Sequence, residues 1–541
     1  MMLAEALFTA LKDRGAHEVF GIPGDFALPY FKILEDSKIL PLYTLSHEPG
    51  VGFAADAAGR FNGRIGVAAV TYGAGALNMI NPVAQAYVEK SPLVVISGAP
   101  GKLESQRGLG LHHQVKRIDS QYKIFEEITC DQIILDDVQT APALIARALD
   151  TCIEQSRPVY IEVPRDMVAE EVGPVPAYQP SCDDMDAARA CAEEVLEHLK
   201  AAKTPCIMAG VEIKRFGLEN KLAELTSILG VPVVTSFMAR GILADADAPL
   251  IGTYLGLAGV EDVRNAVEGS DGLLMLGVIL SDTNFGVSKR EIDMRACVHA
   301  FDREVRFMHH NYPNVSLATL IEALLEIARP IGEAKKHPAP VYPSKLKHDD
   351  SAIAPTDIAR AVNDVFAVHG KMPISSDMGD CLFTAMDIEN TALIAPGYYA
   401  SMGPGVPGGL GIQGTSGKRP IIMVGDGAFQ MTGWELGNCR EYGWNPIVLL
   451  FNNKSWEMLR TFQPGPDYHD LDDWGFAQMA GPMGGVGTRC LTRKELGTAL
   501  NVAIKDTSKF HLIEIMLERG EISITLNRFV NAVKRMSAPK E

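Results

Sequence analysis

Short apolar runs rich in β-branched residues recur along the whole chain, and amphipathic segments separate them. In the first third they are Ile65 to Thr71, Leu93 to Ser97 and Val159 to Val163. The middle carries Pro205 to Ala209, Val231 to Thr235, Gly272 to Val278 and Cys297 to Phe301. The last third carries Pro373 to Ser376, Pro420 to Val424, Pro446 to Phe451 and Phe510 to Met516. Near-continuous apolar strands alternating with helices predict parallel sheets covered on both faces. At the amino terminus, MMLAEALFTALKDRG spaces Leu3, Leu7 and Leu11 at helical intervals around Glu5 and Lys12, an amphipathic helix leading straight into a domain. It lacks a basic start and a cleavage site, so no signal peptide is expected.

Two stretches break the alternation. Gly173 to Asp184 and Pro330 to Asp350 are rich in proline and charge and poor in apolar periodicity, which predicts linkers. They divide the chain into expected units 1–175, 185–330 and 351–541, each an α/β domain with a central, mostly parallel sheet flanked by helices. A chain of 541 residues, 47% hydrophobic, is too long for one core and suits several domains. No short-period repeat points to a solenoid.

Charge and cysteine usage narrow the classes further. A net charge of −17 argues against a nucleic-acid or anionic-membrane partner, because both require basic surface. No run of about 18 apolar residues predicts a membrane span. The nine cysteines are scattered without a CxxC pair, which indicates neither a zinc site nor a disulfide framework and fits a reducing cytoplasm.

The chemistry concentrates in VGDGAFQMTGWELGNCREYGWNPIVLLFNNKS, from Val424 to Ser455. Two apolar strands there end in bare oxygen-bearing side chains, Asp426 and Asn453. Ligands of open parallel sheets bind at the carboxyl ends of strands, so adjacent strands would bring these two together. A carboxylate, an amide carbonyl and a backbone carbonyl from the following turn form an all-oxygen set suited to Mg²⁺, which completes its shell with phosphate oxygens and water. Gly425 and Gly427 allow close backbone approach, and amides entering the next helix can receive phosphate. A Gly-Asp-Gly turn or an Asn pair alone is usually only a turn. Here the spacing fits one helix and one strand between the two, as a metal-bridged diphosphate site requires.

This GDG-to-NN segment resembles the thiamine-diphosphate motif of the 2-keto acid decarboxylases and their carboligase relatives, and the resemblance covers essentially the whole chain. It implies a pyrimidine-binding domain, a middle domain and a diphosphate-binding domain. It implies that Asp426, Asn453 and the Ser455 carbonyl hold Mg²⁺, with Gly427 and Ala428 against the diphosphate. In LSHEPGVGFAADAAGRFNG, Glu48 matches the glutamate that bonds the cofactor's pyrimidine ring; read by itself it is a helix-start carboxylate. Ala400-Ser401-Met402-Gly403 resembles the segment that bends the cofactor, with Met402 as an apolar wedge and the Ala400 carbonyl on its amino group. Family members place this glutamate at the cofactor of a second subunit, which implies a homodimer or homotetramer.

Gly24-Asp25 in VFGIPGDF and the tandem His112-His113 in GLGLHHQ match acid–base residues of the decarboxylase branch. Taken alone they are a cap and loop residues. The chain also departs from its relatives. Many carry a catalytic glutamate six residues past the second Asn, where this chain has Leu459; Glu457 lies about 200° around a helix from that position. Asp282, in GVILSDTNFG, is the candidate to share the proton steps, with burial raising its pKa, against a plain reading as a cap. Pyruvate-specific relatives carry a Phe at Thr283. Thr283, Met458, Leu459 and Phe462 are therefore expected to line a wide apolar pocket for an aryl 2-keto acid. Within the family, the resemblance is nearest to the phenylpyruvate/indole-3-pyruvate decarboxylases. A pyruvate decarboxylase, a carboligase with FAD in its middle domain, or a non-catalytic cofactor binder are the alternatives.

Overall fold

The computed structural model describes residues 1–106, 108–286, 292–331 and 339–537. Residues 332–338, part of the second expected linker, lie outside the described residues.

Three sheets organise the chain. The first has six strands in the spatial order Leu42–Thr44, Val19–Gly21, Gly66–Val70, Leu93–Ala99, Val159–Pro164 and Asp131–Ile134, all parallel. The last sheet repeats the same connectivity with Leu393–Ile394, Ile374–Ser376, Ile421–Gly425, Ile447–Asn452, His511–Met516 and Val486–Cys490. The middle sheet has seven strands, ending in an antiparallel meander of Val298–Phe301, Glu304–Phe307 and His310–Pro313.

Every apolar run read as a strand is one, and the amino-terminal helix spans Leu3–Asp13 with Leu3, Leu7 and Leu11 buried. The strands missed include the edge strands of all three sheets, such as Leu42–Thr44, His310–Pro313 and Val486–Cys490. Apart from the buried Cys490, their side chains are half-exposed or exposed, so they carry no continuous apolar run.

The first and last sheets share one core, in which Phe20, Val51 and Val70 pack with Val424, Phe429 and Val448. Their principal contact is helix Glu48–Asn62, rich in Ala and Gly, against helix Gly405–Ser416, rich in Gly. A Cβ on Gly411 would stand 2.2 Å from the Ala54 carbonyl oxygen, so the close approach of these two backbones requires glycine there. Buried ion pairs complete the join. Arg60 lies between Asp56 and Glu89, and Glu89 accepts the amides of Tyr398 and Tyr399 from the last domain. The middle domain is tied on through Lys90, which meets Glu212 at 2.9 Å and Asp302 at 2.8 Å.

Candidate active site

Strands Ile421–Gly425 and Ile447–Asn452 are parallel neighbours with Gly425 opposite Phe451, so their carboxyl ends deliver Asp426 and Asn453 to one edge. Asp426 is 4% exposed; its Oδ1 accepts the Gly427 amide at 2.8 Å and its Oδ2 the Ser455 amide at 3.3 Å. Burial, opposed by the amides of Gly427, Ser455, Lys454 and Asn453, pushes the carboxyl up to about 6. Asn453 Oδ1 is buried and has no hydrogen-bond partner among the described residues. A buried oxygen left unpaired is costly unless a ligand satisfies it. With the Asp426 carboxylate beside the Ser455 turn, this donor chemistry fits a hard divalent cation. A Cβ on Gly427 would stand 2.0 Å from the Trp456 ring, so any larger residue there would collide with it.

The second cluster lies in the first domain. Asp25 follows strand Val19–Gly21, and its carboxylate bonds His112 Nε2 and lies 3.7 Å from His113 Nε2. Against burial, which raises it, the His112 hydrogen bond, the Phe26 amide and the charge of both histidines hold the Asp25 carboxyl below its usual value. His112 stacks on Phe26 at 4.9 Å, and Arg165 covers the same ring at 5.1 Å. Among the described residues, Asp25, His112 and His113 are also the one group of three His, Cys, Asp or Glu side chains close enough to share a metal. An Asp bonded to a histidine pair equally suits proton transfer.

Glu48 opens helix Glu48–Asn62 and accepts Asn78 Nδ2 at 3.0 Å. Between Glu48 and Asp25 stands Thr71. Its side chain packs against Gly24, and both it and Glu48 Oε1 approach Gly75. Its buried hydroxyl has no hydrogen-bond partner among the described residues. No hydrogen bond or ion pair among the described residues joins Glu48 or Asp25 to the Asp426 cluster.

Ala400 takes a left-handed backbone, φ +60°, and Met402 is half-buried against the core shared by the first and last sheets. Asp377 fixes this turn, and sequence reasoning missed it. Fully buried, it accepts the amides of Gly403 at 3.0 Å and Gly405 at 2.8 Å, and burial pushes it up to about 6. It follows strand Ile374–Ser376, so the strand-end rule that found Asp426 would have found it too.

The remaining expected residues are dispersed. Leu459 is 55% exposed on helix Glu457–Phe462, and Phe462 is exposed with its edge toward Phe529. Met458 packs inward on Leu382, Phe383 and Phe529. Glu457 turns away, 5% exposed, and accepts the Gly520 amide at 2.9 Å. Asp282 corrects an expectation. It is exposed, not buried, and its Oδ1 accepts the Thr283 amide at 2.8 Å, closing its own turn on the rim of a middle-domain cleft. Thr283 is half-buried beside Ser281, and no core cluster or hydrogen bond among the described residues joins it to Met458, Leu459 or Phe462.

Comparison with known families agrees with this architecture. Residues 1–124 match the thiamine pyrophosphate enzyme N-terminal TPP binding domain, 192–327 the central domain, and 377–515 the C-terminal TPP binding domain. The chain is 58% identical over 548 residues to indole-3-pyruvate decarboxylase of Azospirillum brasilense, with 100% of each chain covered. It is 26% identical to an alpha-keto-acid decarboxylase of Mycobacterium tuberculosis, covering 98% of this chain and 97% of the relative. It is 25% identical to a probable pyruvate decarboxylase of Schizosaccharomyces pombe, covering 99% and 97%. With three domains in register, a relative similar from end to end, and a strand-end oxygen cluster suited to a metal-bound diphosphate, the chain belongs to the family of thiamine-pyrophosphate-dependent 2-keto acid decarboxylases.

Proposed function

We propose that this chain decarboxylates an aryl 2-keto acid, phenylpyruvate or indole-3-pyruvate, to the aldehyde and CO₂ without oxidation. The observation that carries the reading is the Asp25–His112–His113 cluster, a proton-transfer set in a chain that also holds a cation-ready diphosphate site. The end-to-end similarity to a relative named for indole-3-pyruvate supports the substrate class. So does Leu459, which puts an apolar group where many relatives have a carboxylate.

Asp426, Asn453 and the Ser455 carbonyl would hold Mg²⁺, with Gly427 and Ala428 against the diphosphate. Ala400 and Met402 would orient the two rings. When bound, thiamine diphosphate supplies the carbon nucleophile and the electron sink for loss of CO₂. Glu48 holds a proton at the pyrimidine nitrogen. His112 and His113, poised by Asp25, deliver a proton to the carbon that lost CO₂, and Asp282 shares in those proton steps. Thr283, Met458, Leu459 and Phe462 leave room for an aryl group. Because no hydrogen bond or ion pair among the described residues joins Glu48 to the Asp426 cluster, the active site is read as shared between two subunits of a homodimer, or of a tetramer built from such dimers. The free cysteines suit a cytoplasmic protein.

A substrate panel assayed for aldehyde and CO₂ tests the reading. We expect kcat/KM for phenylpyruvate or indole-3-pyruvate to exceed that for pyruvate by about tenfold or more, since filling an apolar pocket is worth a few kcal/mol. A preference for pyruvate overturns the pocket assignment.

A further inference from the structure

His112 and His113 stand on a segment, residues 111–118, that forms neither helix nor strand, so other groups must fix its backbone. Two neighbours do so from below. The Tyr72 hydroxyl donates to the Ile118 carbonyl at 2.9 Å. Gly73 lies directly on His113: a Cβ there would stand 2.1 Å from the His113 carbonyl oxygen and 2.6 Å from its Cβ. Both backbones are left-handed, with φ +67° at Gly73 and +66° at His113, so the two peptides interlock in one arrangement.

The Gly73 amide has a single side-chain partner. It donates to Gln121 Oε1 at 2.6 Å, and Gln121 is 1% exposed. The other end of the Gln121 side-chain amide is a donor: Nε2 donates to Ser97 Oγ at 3.1 Å, to Glu162 Oε1 at 3.3 Å and to the Tyr160 hydroxyl. Tyr160 in turn donates to Glu162 Oε1 at 2.9 Å. Reversing the Gln121 amide would set its NH₂ against the Gly73 N–H and its oxygen against the Glu162 carboxyl. The orientation is therefore fixed from beneath by a buried carboxyl.

We propose that Gln121 is a positioning residue for the reaction, holding Gly73, and through it the His113 backbone, in the geometry that aims the histidine pair. The proposal rests on the reading of His112 and His113 as the proton-transfer groups. Burial raises Glu162 to about 7, opposed by Tyr160 and Gln121 and reinforced by Asp119; Tyr72 and Tyr122 also feel its charge.

The test uses the enzyme loaded with thiamine diphosphate and Mg²⁺, with the histidine rings followed separately by NMR in the cofactor-free protein. Gln121→Leu removes the acceptor. It is expected to lower kcat about tenfold or more, on the scale of lost acid–base catalysis, with KM and thermal midpoint little changed and the His113 titration displaced. Gln121→Glu keeps an acceptor for Gly73 and sets a second carboxyl beside Glu162. It should regain turnover as pH falls from 8 to 6, where the two share a proton; this variant also serves if Gln121→Leu does not fold. The proposal is overturned if Gln121→Leu leaves kcat and the His113 titration unmoved while His113→Gln is crippled. It is also overturned if kcat, KM and thermal midpoint fall together with the His113 signal in place, or if Gln121→Glu shows no recovery at low pH. Full turnover in His113→Gln would instead defeat the assigned histidine role, and the proposal with it.

Discussion

The Asp426 carboxyl, raised to about 6 by burial against the pull of four amides, must be ionised to ligate a cation. Cation affinity is therefore expected to weaken about tenfold per pH unit below 6, with proton release on binding, measurable by calorimetry in two buffers. The same burial has a stability consequence. A carboxyl whose folded pKa lies above its unfolded value favours folding fully only below the unfolded value, and that contribution is lost as pH rises through about 6. Asp426→Asn without cofactor should therefore resist urea better than the wild type at pH 8, with no such advantage at pH 4, while failing to retain thiamine diphosphate. Equal retention by variant and wild type after gel filtration would remove Asp426 from the metal site. Asp282 makes a different residue-scale case. It is exposed and closes its own turn, and the expected outcome separates two roles. If it transfers protons, Asp282→Asn should lower kcat by roughly two orders of magnitude with cofactor affinity kept; a loss of only a few-fold marks it as the cap of its own turn.

Between strand Ile421–Gly425 and helix Glu457–Phe462, the site depends on elements meeting without side chains in the way. Gly427 lies under Trp456, and Ala at that position would drive a methyl group to 2.0 Å from the ring. Gly427→Ala is expected to displace Trp456, seen as a shift in tryptophan emission absent from Trp456→Phe, and to weaken diphosphate binding at least tenfold while the fold persists. Unchanged emission and affinity would show that the ring gives way freely. The Met402 turn is set the same way, by one buried carboxylate at a strand end and glycines at the turn. Asp377 follows strand Ile374–Ser376, the parallel neighbour of the strand that ends at Asp426, so the Met402 turn and the Asp426 cluster are ordered from adjacent strand ends of one sheet.

Across the whole molecule, the first and last sheets share a core, but no hydrogen bond or ion pair among the described residues joins Glu48 to the Asp426 cluster. A site shared between subunits predicts complementation. Glu48→Gln and Asp426→Ala, each inactive alone, should yield active dimers when mixed and refolded, because a mixed dimer has one site with both groups intact. Random pairing would restore about a quarter of the wild-type sites. No recovery on mixing would place Glu48 and Asp426 in one chain's site.

The sequence by itself determined what depends on local pattern. Continuous apolar runs marked the central strands because a strand buried on both faces must be apolar along its whole length. The short edge strands escaped because one side of an edge is wet and its pattern is no longer continuous. Asp426 and Asn453 were legible because polar residues at the end of a buried strand need a reason to be there. Asp25, Glu48, the histidines, Ala400 and Met402 came from resemblance, since each alone passes for a cap, loop or core residue. Tertiary structure decided the rest. The partnership of Asp25 with the histidines, the role of Asp377 and the grip of Gln121 on Gly73 all join residues far apart in the chain. The exposure of Asp282 was equally hidden, because burial is set by what packs against a strand end and not by the strand itself.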